Sequence, residues 1–446
     1  MNRRRFIANT FAATAGMALS LPKRSHARPG PNDIVNVAII GIRGANKGHP
    51  TWTTRGRGQD HYEHLAGIAN VRITHVVDVD ERHFKDSLSL LTQKYGGSPK
   101  TETDFRRVLD NRDVDAVTIA APDHWHALMT ILACQAGKDV YVEKPVSHNI
   151  VEGRKMIEAV RRYGRVVQAG TQRRSGGALA RAVQFLREGG LGAVHGGKIV
   201  VYRARDPIGV AANSPEPPGV HYDLWLGPAP ARPFNENHFH YHWHFFWEYG
   251  TTDLGNTGVH SLDAVRWLLG KREHPRSVHC IGGLYEAGDR TDQATPNTQY
   301  ASYQYADGTE LHCDLRNWFS GPREAQGIYI FGSKGWMKVG DDSAQVYFGR
   351  KNEPGPTLIA DEKRDPGQPH FENFIECVRS RKVEDLKAPI EEGHLSTTLC
   401  HLGNISYRVG RSLKFDGATE RFEGDEEADK LLGRTYRAPY VLPDGT

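Results

Sequence analysis

Apolar and polar positions follow two different periods along the first part of the chain. Short, mainly apolar runs occupy residues 37–40, 73–77, 114–120 and 166–170, and segments with the helical spacing of apolar residues separate them. Apolar runs of this kind are typical of strands covered on both faces, and strands that alternate with helices form parallel sheets with right-handed crossovers. The pattern therefore predicts a doubly wound parallel sheet of six strands over residues 33–170.

A further strand in this series ends in charged residues. The β-branched segment after Lys138 runs into Glu143 and Lys144, and Pro145 then stops it. Ligands of open α/β sheets lie just beyond the carboxyl ends of the strands, so we expect Glu143 and Lys144 to point into that crevice. The alternative is a strand end whose charges are only solvated.

A glycine-rich loop follows the first strand. Gly41, Arg43 and Gly44 open this loop without the usual three-glycine spacing, and Gly58 comes only later. Asp78 ends the second strand at about 20 residues after Gly58, which is the separation expected for the acid that binds ribose in a dinucleotide fold. The simplest account is an insertion between the two glycine clusters, with backbone amides of both binding the phosphates.

The strand, the loop and the acid together indicate a Rossmann-type domain. Asp78 would accept hydrogen bonds from the adenosine ribose and repel a 2′-phosphate, so we predict NAD rather than NADP as the cofactor. Arg82 is close enough in sequence to reverse that preference if its side chain folds back.

The second part of the chain has a different pattern. Residues 277–350 contain several strands with alternating apolar and polar positions, and residues 207–233, rich in Pro, Gly and Ala, predict a long loop over the mouth of the site. A helix over residues 392–409 is expected to pack back against the first domain. The predicted units are a Rossmann-type domain at 33–170, an α/β substrate domain at 171–415 and a tail with few core residues at 416–446.

Histidines alternate with other residues from His238 to His244. In an extended segment they would line one face, and imidazole is a common zinc ligand. We favour a sugar pocket and predict no metal, because four ligands along a strand cannot converge on one ion without a bend. Tryptophan rings could then stack on pyranose faces. The candidate substrate contacts are His242, Trp243, His244, Trp247 and Tyr249.

The first 27 residues have the features of a targeting segment. Arg3, Arg4 and Arg5 precede a mildly apolar stretch, and Ser25 and Ala27 offer small residues for a signal peptidase. The pattern resembles a twin-arginine signal, which favours export of a folded protein to the periplasm or beyond. The alternatives are a basic amphipathic N-terminus or an uncleaved anchor. We expect no stable membrane anchor, because no cysteine lies near the cleavage site.

Composition narrows the choice of partners. The 446 residues carry a formal net charge of +4 that is not gathered in a basic stripe, so we do not expect nucleic acid as a partner. The five cysteines are scattered and odd in number and show no metal-site spacing. A protein folded in the cytoplasm before export would keep them reduced, and we predict buried thiols without disulfides.

The chain resembles the Gfo/Idh/MocA oxidoreductases over nearly all of its mature sequence. The resemblance rests on Ala121-Pro122-Asp123-His124-Trp125-His126, Glu143-Lys144-Pro145, Gly170-Thr171-Gln172-Arg173-Arg174, Asp253-Leu254-Gly255-Asn256-Thr257-Gly258-Val259-His260 and Gly393-His394.

This resemblance implies a fold and an activity. It implies an NAD(P)-binding domain followed by an α/β domain with a large, mostly antiparallel sheet, which often forms a homodimer or homotetramer interface. It also implies hydride transfer between a nicotinamide and a sugar or cyclitol carbinol. Lys144 matches the family lysine beside the nicotinamide, and His260 matches the catalytic histidine. The cofactor contacts implied are Ala121, Pro122, His124, His126, Glu143 and Lys144, and the substrate contacts implied are Trp125, Gln172 and Arg173.

The chain departs from the family pattern at one position. Many members carry Asp four residues before the histidine, where this chain has Asn256. Because Asn cannot take a proton, His260 or Lys144 must act as the base, or Asp253 has been recruited.

Three functions therefore remain open. The first is a sugar oxidoreductase with a tightly bound cofactor, since free nicotinamide cofactor should be scarce outside the cytoplasm. The second is a redox-neutral, NAD-dependent glycoside hydrolase or lyase that works through a transient ketone. The third is a sugar-binding protein that has lost catalysis, which the substitution at Asn256 keeps in consideration.

Overall fold

A computed structural model describes most of the chain, namely residues 34–43, 56–285, 291–317, 321–360 and 365–443. The predicted signal peptide and Gly44 lie outside these residues. Within the described ranges, we find no helix with the length and apolar character that a membrane span requires.

The N-terminal domain is built on a parallel sheet of six strands. The strand order is β3-β2-β1-β4-β5-β6, so the order reverses between β1 and β4. Strands β4 and β5 are buried at every position, which explains why their sequences do not alternate. The ligand crevice of such a sheet opens at the reversal, beyond the carboxyl ends of the strands. The strands are β1 (Val35–Ile40), β2 (Val71–Val77), β3 (Lys100–Glu102), β4 (Ala116–Ile119), β5 (Asp139–Glu143) and β6 (Val167–Gly170).

Helices connect these strands, as the alternating pattern predicts. Helix α5 begins after Asn149, whose Oδ1 accepts a hydrogen bond from the Glu152 amide at 2.9 Å, and it ends at Gly164 in a left-handed conformation. The helices of this domain are α1 (Arg57–Ala66), α2 (Ser89–Tyr95), α3 (Phe105–Asp110), α4 (Asp123–Gln135) and α5 (Ile150–Tyr163). The predicted doubly wound fold is confirmed.

The C-terminal domain contains a sheet of ten strands in the order β14-β13-β12-β11-β7-β10-β9-β8-β15-β16. Strands β7 and β10 are parallel, and the other neighbours are antiparallel. This confirms the large, mostly antiparallel sheet. The strands are β7 (Val194–Tyr202), β8 (Ser277–Gly283), β9 (Thr298–Gln304), β10 (Glu310–Arg316), β11 (Gly327–Gly332), β12 (Gly335–Val339), β13 (Ser343–Phe348), β14 (Glu353–Ile359), β15 (Leu413–Asp416) and β16 (Arg421–Phe422).

Helices cover one face of this sheet and form its core. Leu262 and Val265 of one helix and Leu399 and Leu402 of another are buried against the strands. The long helix α10 also contacts α5 and β6 of the first domain, as predicted. The helices are α6 (Gly177–Arg187), α7 (Tyr222–Leu226), α8 (Val259–Leu268), α9 (Gly367–Ser380), α10 (Ile390–Val409) and α11 (Glu426–Asp429). All five cysteines are buried free thiols, as predicted.

The histidine-rich segment is not extended, so that expectation is wrong. It forms two 3₁₀ turns, Glu236–His238 and His242–Phe245. His240, between the turns, has a left-handed φ of 55°. Burial of Phe239 and Phe246 in an aromatic cluster sets the path of the segment, because these rings recur at a spacing that a strand cannot place on one side.

The C-terminal tail is part of both cores, which corrects the expectation of few core residues. Phe422 and Leu432 join the core of the second domain, and Tyr440 packs on Trp125 of the first with ring centroids 5.4 Å apart. These residues show no period along the sequence, because each fills a space formed by other elements. The pattern therefore carried no signal for their burial.

Truncating Leu432 tests this packing. Its side chain is 4% exposed, so we expect Leu432→Ala to lower the free energy of unfolding by about 2–5 kcal/mol. Leu90, which is 67% exposed, is the matched control, and Leu90→Ala should cost less than about 0.5 kcal/mol. Denaturant titration of both variants measures the difference, and equal losses would contradict a packed tail.

Candidate active site

A cavity of about 520 Å³ lies between the domains at the point where the strand order reverses. One wall consists of loops at the carboxyl ends of β1, β2, β4 and β5. The other wall comes from the C-terminal domain and includes residues 239–241, 243–244 and 256–257. Lys144, Asn256 and His260 all line this cavity, so the lysine-bearing strand and the histidine-bearing helix share one site.

Two glycines shape the floor of the cavity. Gly41 has a φ of 88°, and a Cβ there would lie 2.8 Å from the Ala120 carbonyl oxygen. A Cβ on Gly58 would lie 1.7 Å from the Gly41 carbonyl oxygen. The chain can therefore bring the end of β1 against the start of α1 only without side chains at these positions. Gly56 precedes α1 and has no side chain to cap its first turn, so the amides of this turn suit the pyrophosphate of a dinucleotide.

Asp78 fixes the glycine loop and also faces the cavity. Its Oδ2 accepts hydrogen bonds from the Ile42 and Arg43 amides at 2.8 and 3.0 Å. A carboxylate oxygen can accept more than one hydrogen bond, so these contacts leave Asp78 able to accept one from a ribose hydroxyl. Arg82 instead donates two hydrogen bonds to Asp80, at 2.7 and 2.6 Å. Arg43 lines the cavity and lies over the ring of Tyr241.

The segment after β4 contains residues that line the cavity and one histidine that lies behind its wall. Ala121, Pro122, Trp125 and His126 line the cavity, and the ring nitrogens of His126 lie 2.6 and 2.7 Å from the carbonyl oxygens of Pro145 and Ala121. His124 lies behind the cavity wall, which corrects its assignment as a cofactor contact. Burial lowers the pKa of His124 to about 3, and its Nε2 contacts the Trp225 carbonyl oxygen.

Glu143 is held in place by a buried network. His61 Nε2 lies 3.2 Å from Glu143 Oε1, and Gln172 Nε2 donates to the same oxygen at 2.9 Å. Burial raises the pKa of Glu143, but the contact with His61 and the charge of Arg57 outweigh it and hold the pKa well below its usual range. Gln172 therefore supports Glu143.

A second cavity, of about 720 Å³, lies on the other side of this network. Gln172 and Arg173, two of the predicted substrate contacts, line this second cavity rather than the first. Arg173 pairs with Asp341 at 2.7 Å. His260 and Glu143 belong to the wall between the two cavities.

Lys144 bridges the two domains. Its Nζ donates to the backbone oxygen of Asn256 at 2.8 Å and approaches Asn256 Oδ1 at 3.3 Å. Burial lowers the pKa of Lys144, while the charge of Glu143 raises it. Burial, followed by the charges of Lys144 and Arg57, lowers the pKa of His260 well below its usual range. His260 is therefore a neutral imidazole at physiological pH, one turn after Asn256.

The alternative base, Asp253, lies outside the cavity. It is buried behind Arg205, whose guanidinium lies 3.3 Å from the carboxylate. Arg205 itself lines the cavity. The structure therefore does not bring Asp253 to the reacting position, which corrects its assignment as a catalytic residue.

The five substrate contacts predicted between His242 and Tyr249 separate into two groups. Trp243 and His244 line the cavity and stack on each other with ring centroids 3.6 Å apart. His242 lies beside Asn237, Trp247 donates to the Ala294 carbonyl oxygen, and Tyr249 packs against Trp225. These last three side chains do not line the cavity, so their assignment as substrate contacts is corrected.

Several lining residues were missed from the sequence. Arg203 and Arg205 follow the end of β7, and Thr257 follows Asn256. The rule that strand ends carry site residues could have found the two arginines. Asp123 belongs to a motif that the sequence singles out, but the motif alone assigns it no role.

At the mouth of the cavity, His240 lies beside Asp80 and His83 of the first domain. It does not group with the other histidines of its own segment. These three residues offer ligand atoms within 4.8 Å of one another. Arg82 already donates to both oxygens of Asp80, so a cation is in place beside that carboxylate. His240 Nε2 lies 3.0 Å from Asp80 Oδ2, which ties the two domains together.

The fold places the chain in a class of two-domain proteins with an NAD-binding Rossmann domain and a C-terminal α/β domain. Residues 35–171 match the model of the oxidoreductase family NAD-binding Rossmann fold, and residues 209–442 match the C-terminal α/β domain of the same Gfo/Idh/MocA family. The chain belongs to this family.

The curated relatives include inositol and levoglucosan dehydrogenases and a glycosyl hydrolase family 109 protein. An inositol 2-dehydrogenase of Salmonella paratyphi B is 29% identical over 58% of this chain and 68% of that protein. A glycosyl hydrolase family 109 protein of Shewanella pealeana is 26% identical over 36% of this chain. The alignments with this hydrolase and two further relatives span only 37–44% of the relatives' own lengths.

Solved structures share the fold. A levoglucosan dehydrogenase in complex with NADH and levoglucosan has a TM-score of 0.65 at 18% identity, over 86% of this chain and 99% of that one. An aldose-aldose oxidoreductase from Caulobacter crescentus, complexed with glycerol, has a TM-score of 0.62 at 19% identity, over 86% of this chain and 100% of that one.

Substituting Gly58 tests the dinucleotide site. Because the Cβ would overlap the Gly41 backbone, we expect Gly58→Ala to abolish NADH binding in a fluorescence titration. Gly67 ends the same helix, and a Cβ there would meet nothing closer than 3.5 Å, so Gly67→Ala should bind NADH normally. A folded Gly58→Ala variant with unchanged affinity would contradict this location for the phosphates.

Proposed function

We propose that this protein is an NAD-dependent dehydrogenase that oxidises a carbinol of a sugar or cyclitol. The observation that carries the proposal is the meeting of Lys144, Asn256 and His260 in the cavity that the glycine floor and Asp78 also line. Its inositol and levoglucosan dehydrogenase relatives support this class of substrate.

The reacting groups have complementary protonation states. The ammonium of Lys144 donates to the substrate hydroxyl oxygen and stabilises the negative charge that develops as the proton leaves. The neutral imidazole of His260 accepts that proton. Asn256 orients Lys144 through its two oxygens. A nicotinamide bound beside these residues would accept the hydride from the carbinol carbon.

The C-terminal wall suits a carbohydrate. Trp243 and Tyr241 offer aromatic faces for the C–H surface of a sugar ring. Arg203, His244 and Thr257 offer polar groups for its hydroxyls.

The ribose end of the cavity supports NAD. Asp78 faces it with a negative charge, which disfavours a 2′-phosphate. Arg82, which could have reversed this preference, is engaged by Asp80.

We also propose that the cofactor stays bound during export through the twin-arginine pathway. A clasp between the domains supports retention at the ribose end. His240 contacts Asp80 at 3.0 Å, and His221 Nε2 contacts Glu81 Oε1 at 2.6 Å. The Glu81 amide donates to the Gly219 carbonyl oxygen at 2.9 Å. The long loop thus covers the exit of β2, next to Asp78, the proposed ribose contact.

The open face of the large sheet supports assembly into a homodimer or homotetramer. Ile281 and Tyr300 are register partners on β8 and β9 and are 56% and 38% exposed. A second copy of the chain could cover such apolar residues.

Substitution of the reacting residues tests the catalytic proposal. The wild type should form NADH with at least one member of a panel of inositols, anhydrosugars and aldoses. We expect Lys144→Ala and His260→Ala each to lower kcat/KM by about 10²–10⁴-fold with NADH affinity nearly unchanged. His312, an exposed histidine on β10, is the control, and His312→Ala should retain full activity. Activity within tenfold of wild type in both site variants would sink the proposal.

An aryl glycoside distinguishes the hydrolase alternative, which the family 109 relative supports. Release of the aglycone without net NADH formation, and its loss in Lys144→Ala, would establish redox-neutral chemistry. Ligand binding that is identical in wild type and Lys144→Ala, without turnover of any substrate, would instead indicate a binding protein.

Native mass spectrometry tests retention, assembly and export together. We expect periplasmic protein to begin after Ala27 and to carry one dinucleotide in each subunit of a dimer or tetramer. His240→Ala should release the dinucleotide faster than wild type, because it removes one contact of the clasp. A nucleotide-free monomer confined to the cytoplasm would contradict these three proposals.

A further inference from the structure

Arg203 belongs to the wall that separates the two cavities. It follows the end of β7, and it lines both cavities together with Thr257 and His260. Its side chain is exposed and makes no hydrogen bond or ion pair with any residue that the structure describes. Only its backbone amide is bonded, to the Arg316 carbonyl oxygen at 2.7 Å. The guanidinium is therefore available to a ligand.

Arg203 differs in this respect from the other arginines that line the two cavities. Each of those, within the described ranges, already has a partner that compensates its charge or covers its guanidinium. The contacts are Arg57 with Asp60 at 3.2 Å, Arg173 with Asp341 at 2.7 Å, Arg205 with Asp253 at 3.3 Å and Arg43 with the ring of Tyr241.

The C-terminal wall of the first cavity lacks negative charge. Among its described residues there is no carboxylate, because the acidic residues that line this cavity all come from the N-terminal domain. Asn256 stands where many family members have Asp, and the Lys144 ammonium donates to its two oxygens at 2.8 and 3.3 Å. The substrate side of the cavity is therefore more positive than in members with that Asp, which favours a substrate with a negative charge.

The chemistry of the wall indicates which anion it suits. An arginine guanidinium presents two parallel N–H donors that match the two oxygens of a carboxylate. Thr257 adds a neutral donor, since its Oγ1 accepts from Arg205 Nη2 at 3.3 Å and its own hydrogen can point to a ligand. One guanidinium and one hydroxyl balance a single negative charge, whereas a phosphate group carries nearly two.

The phosphates of the dinucleotide do not need Arg203. They are expected at the glycine floor, where Gly41 and Gly58 meet at the first turn of α1. Arg203 comes instead from the C-terminal domain, on the wall that carries His260.

We propose that the substrate is an acidic sugar, such as a hexuronate, whose carboxylate binds Arg203 and Thr257 while a ring hydroxyl meets Lys144 and His260. This inference rests on the proposed function and narrows its substrate class. Binding of the acid can be measured without turnover, so the inference and the proposed function can fail separately.

Matched pairs of sugars test the proposal, namely D-glucuronate against D-glucose and D-galacturonate against D-galactose. Each acid has a carboxylate where its partner has a hydroxymethyl group. With the full-length protein and NAD, we expect kcat/KM for each acid to exceed that for its neutral partner by about tenfold or more. Arg203→Gln should lower this acid-to-neutral ratio by about 10- to 100-fold, because the charge-assisted hydrogen bonds are lost. Arg203→Lys keeps the charge without the parallel donors and should give an intermediate ratio.

Arg187→Gln is the matched control. Arg187 is exposed at the end of α6 and lines neither cavity, so this variant should keep both the ratio and the activity of the wild type. Arg203→Gln should fold normally, because the described structure gives its side chain no partner to lose, and circular dichroism checks this. Its affinity for NADH should equal that of the wild type.

Calorimetric titration of the NADH-loaded protein with D-glucuronate separates binding from turnover. We expect binding at millimolar concentration, weakened by about tenfold or more in Arg203→Gln. Such binding in a protein that oxidises no sugar would support the acidic ligand and overturn only the dehydrogenase activity.

Other results would overturn this inference. Oxidation of neutral sugars with an acid-to-neutral ratio that Arg203→Gln leaves unchanged would do so while supporting the proposed function. A preference for glucose 6-phosphate over D-glucuronate, or no binding of either uronate, would also contradict a carboxylate site. Weaker NADH binding in Arg203→Gln with an unchanged ratio would assign Arg203 to the cofactor instead.

Discussion

The contact between Lys144 and Asn256 is the interaction on which the site depends. It joins the end of β5 in the first domain to the turn before α8 in the second, through a charge-assisted hydrogen bond of 2.8 Å. Glu143, the residue before Lys144, is held by its contact with His61. A ring nitrogen of His126 contacts the carbonyl oxygen of Pro145, the residue after Lys144. Because the donor and the acceptors belong to different domains, the reacting position exists only when both domains are packed together.

A second buried network holds the other side of this contact. Asp263 lies one turn after His260 on α8 and receives two hydrogen bonds from Arg174 Nε, at 3.0 and 2.9 Å. Ser396 on α10 donates to the same carboxylate at 2.7 Å, and Arg174 also reaches Glu392. Buried charges are tolerated when they are paired and hydrogen-bonded. This network therefore fixes α8, and with it His260, against both α10 and the exit of β6.

The site residues that could be predicted from the sequence are those that follow the ends of the parallel strands. Gly58, Asp78 and Lys144 could be assigned because a parallel sheet delivers residues after its strands to one edge. The histidine-rich segment could not be assigned, because its register depends on aromatic rings that pack against the long loop. Asp253 was a reasonable candidate by sequence distance, but the turn that presents Asn256 directs Asp253 towards Arg205.

By itself, the sequence determined the order of strands and helices, the glycine positions and the presence of a lysine and a histidine at the positions of the family motifs, because these depend on local periodicity and on short motifs. Only the tertiary structure decided which side chains share the cavity. It placed Trp243 and Asp123 in the cavity and His124 and Trp247 outside it. The physical reason is that the burial and the charge pairing of a side chain depend on contacts between segments that are distant in the sequence. A local sequence pattern contains no information on those contacts.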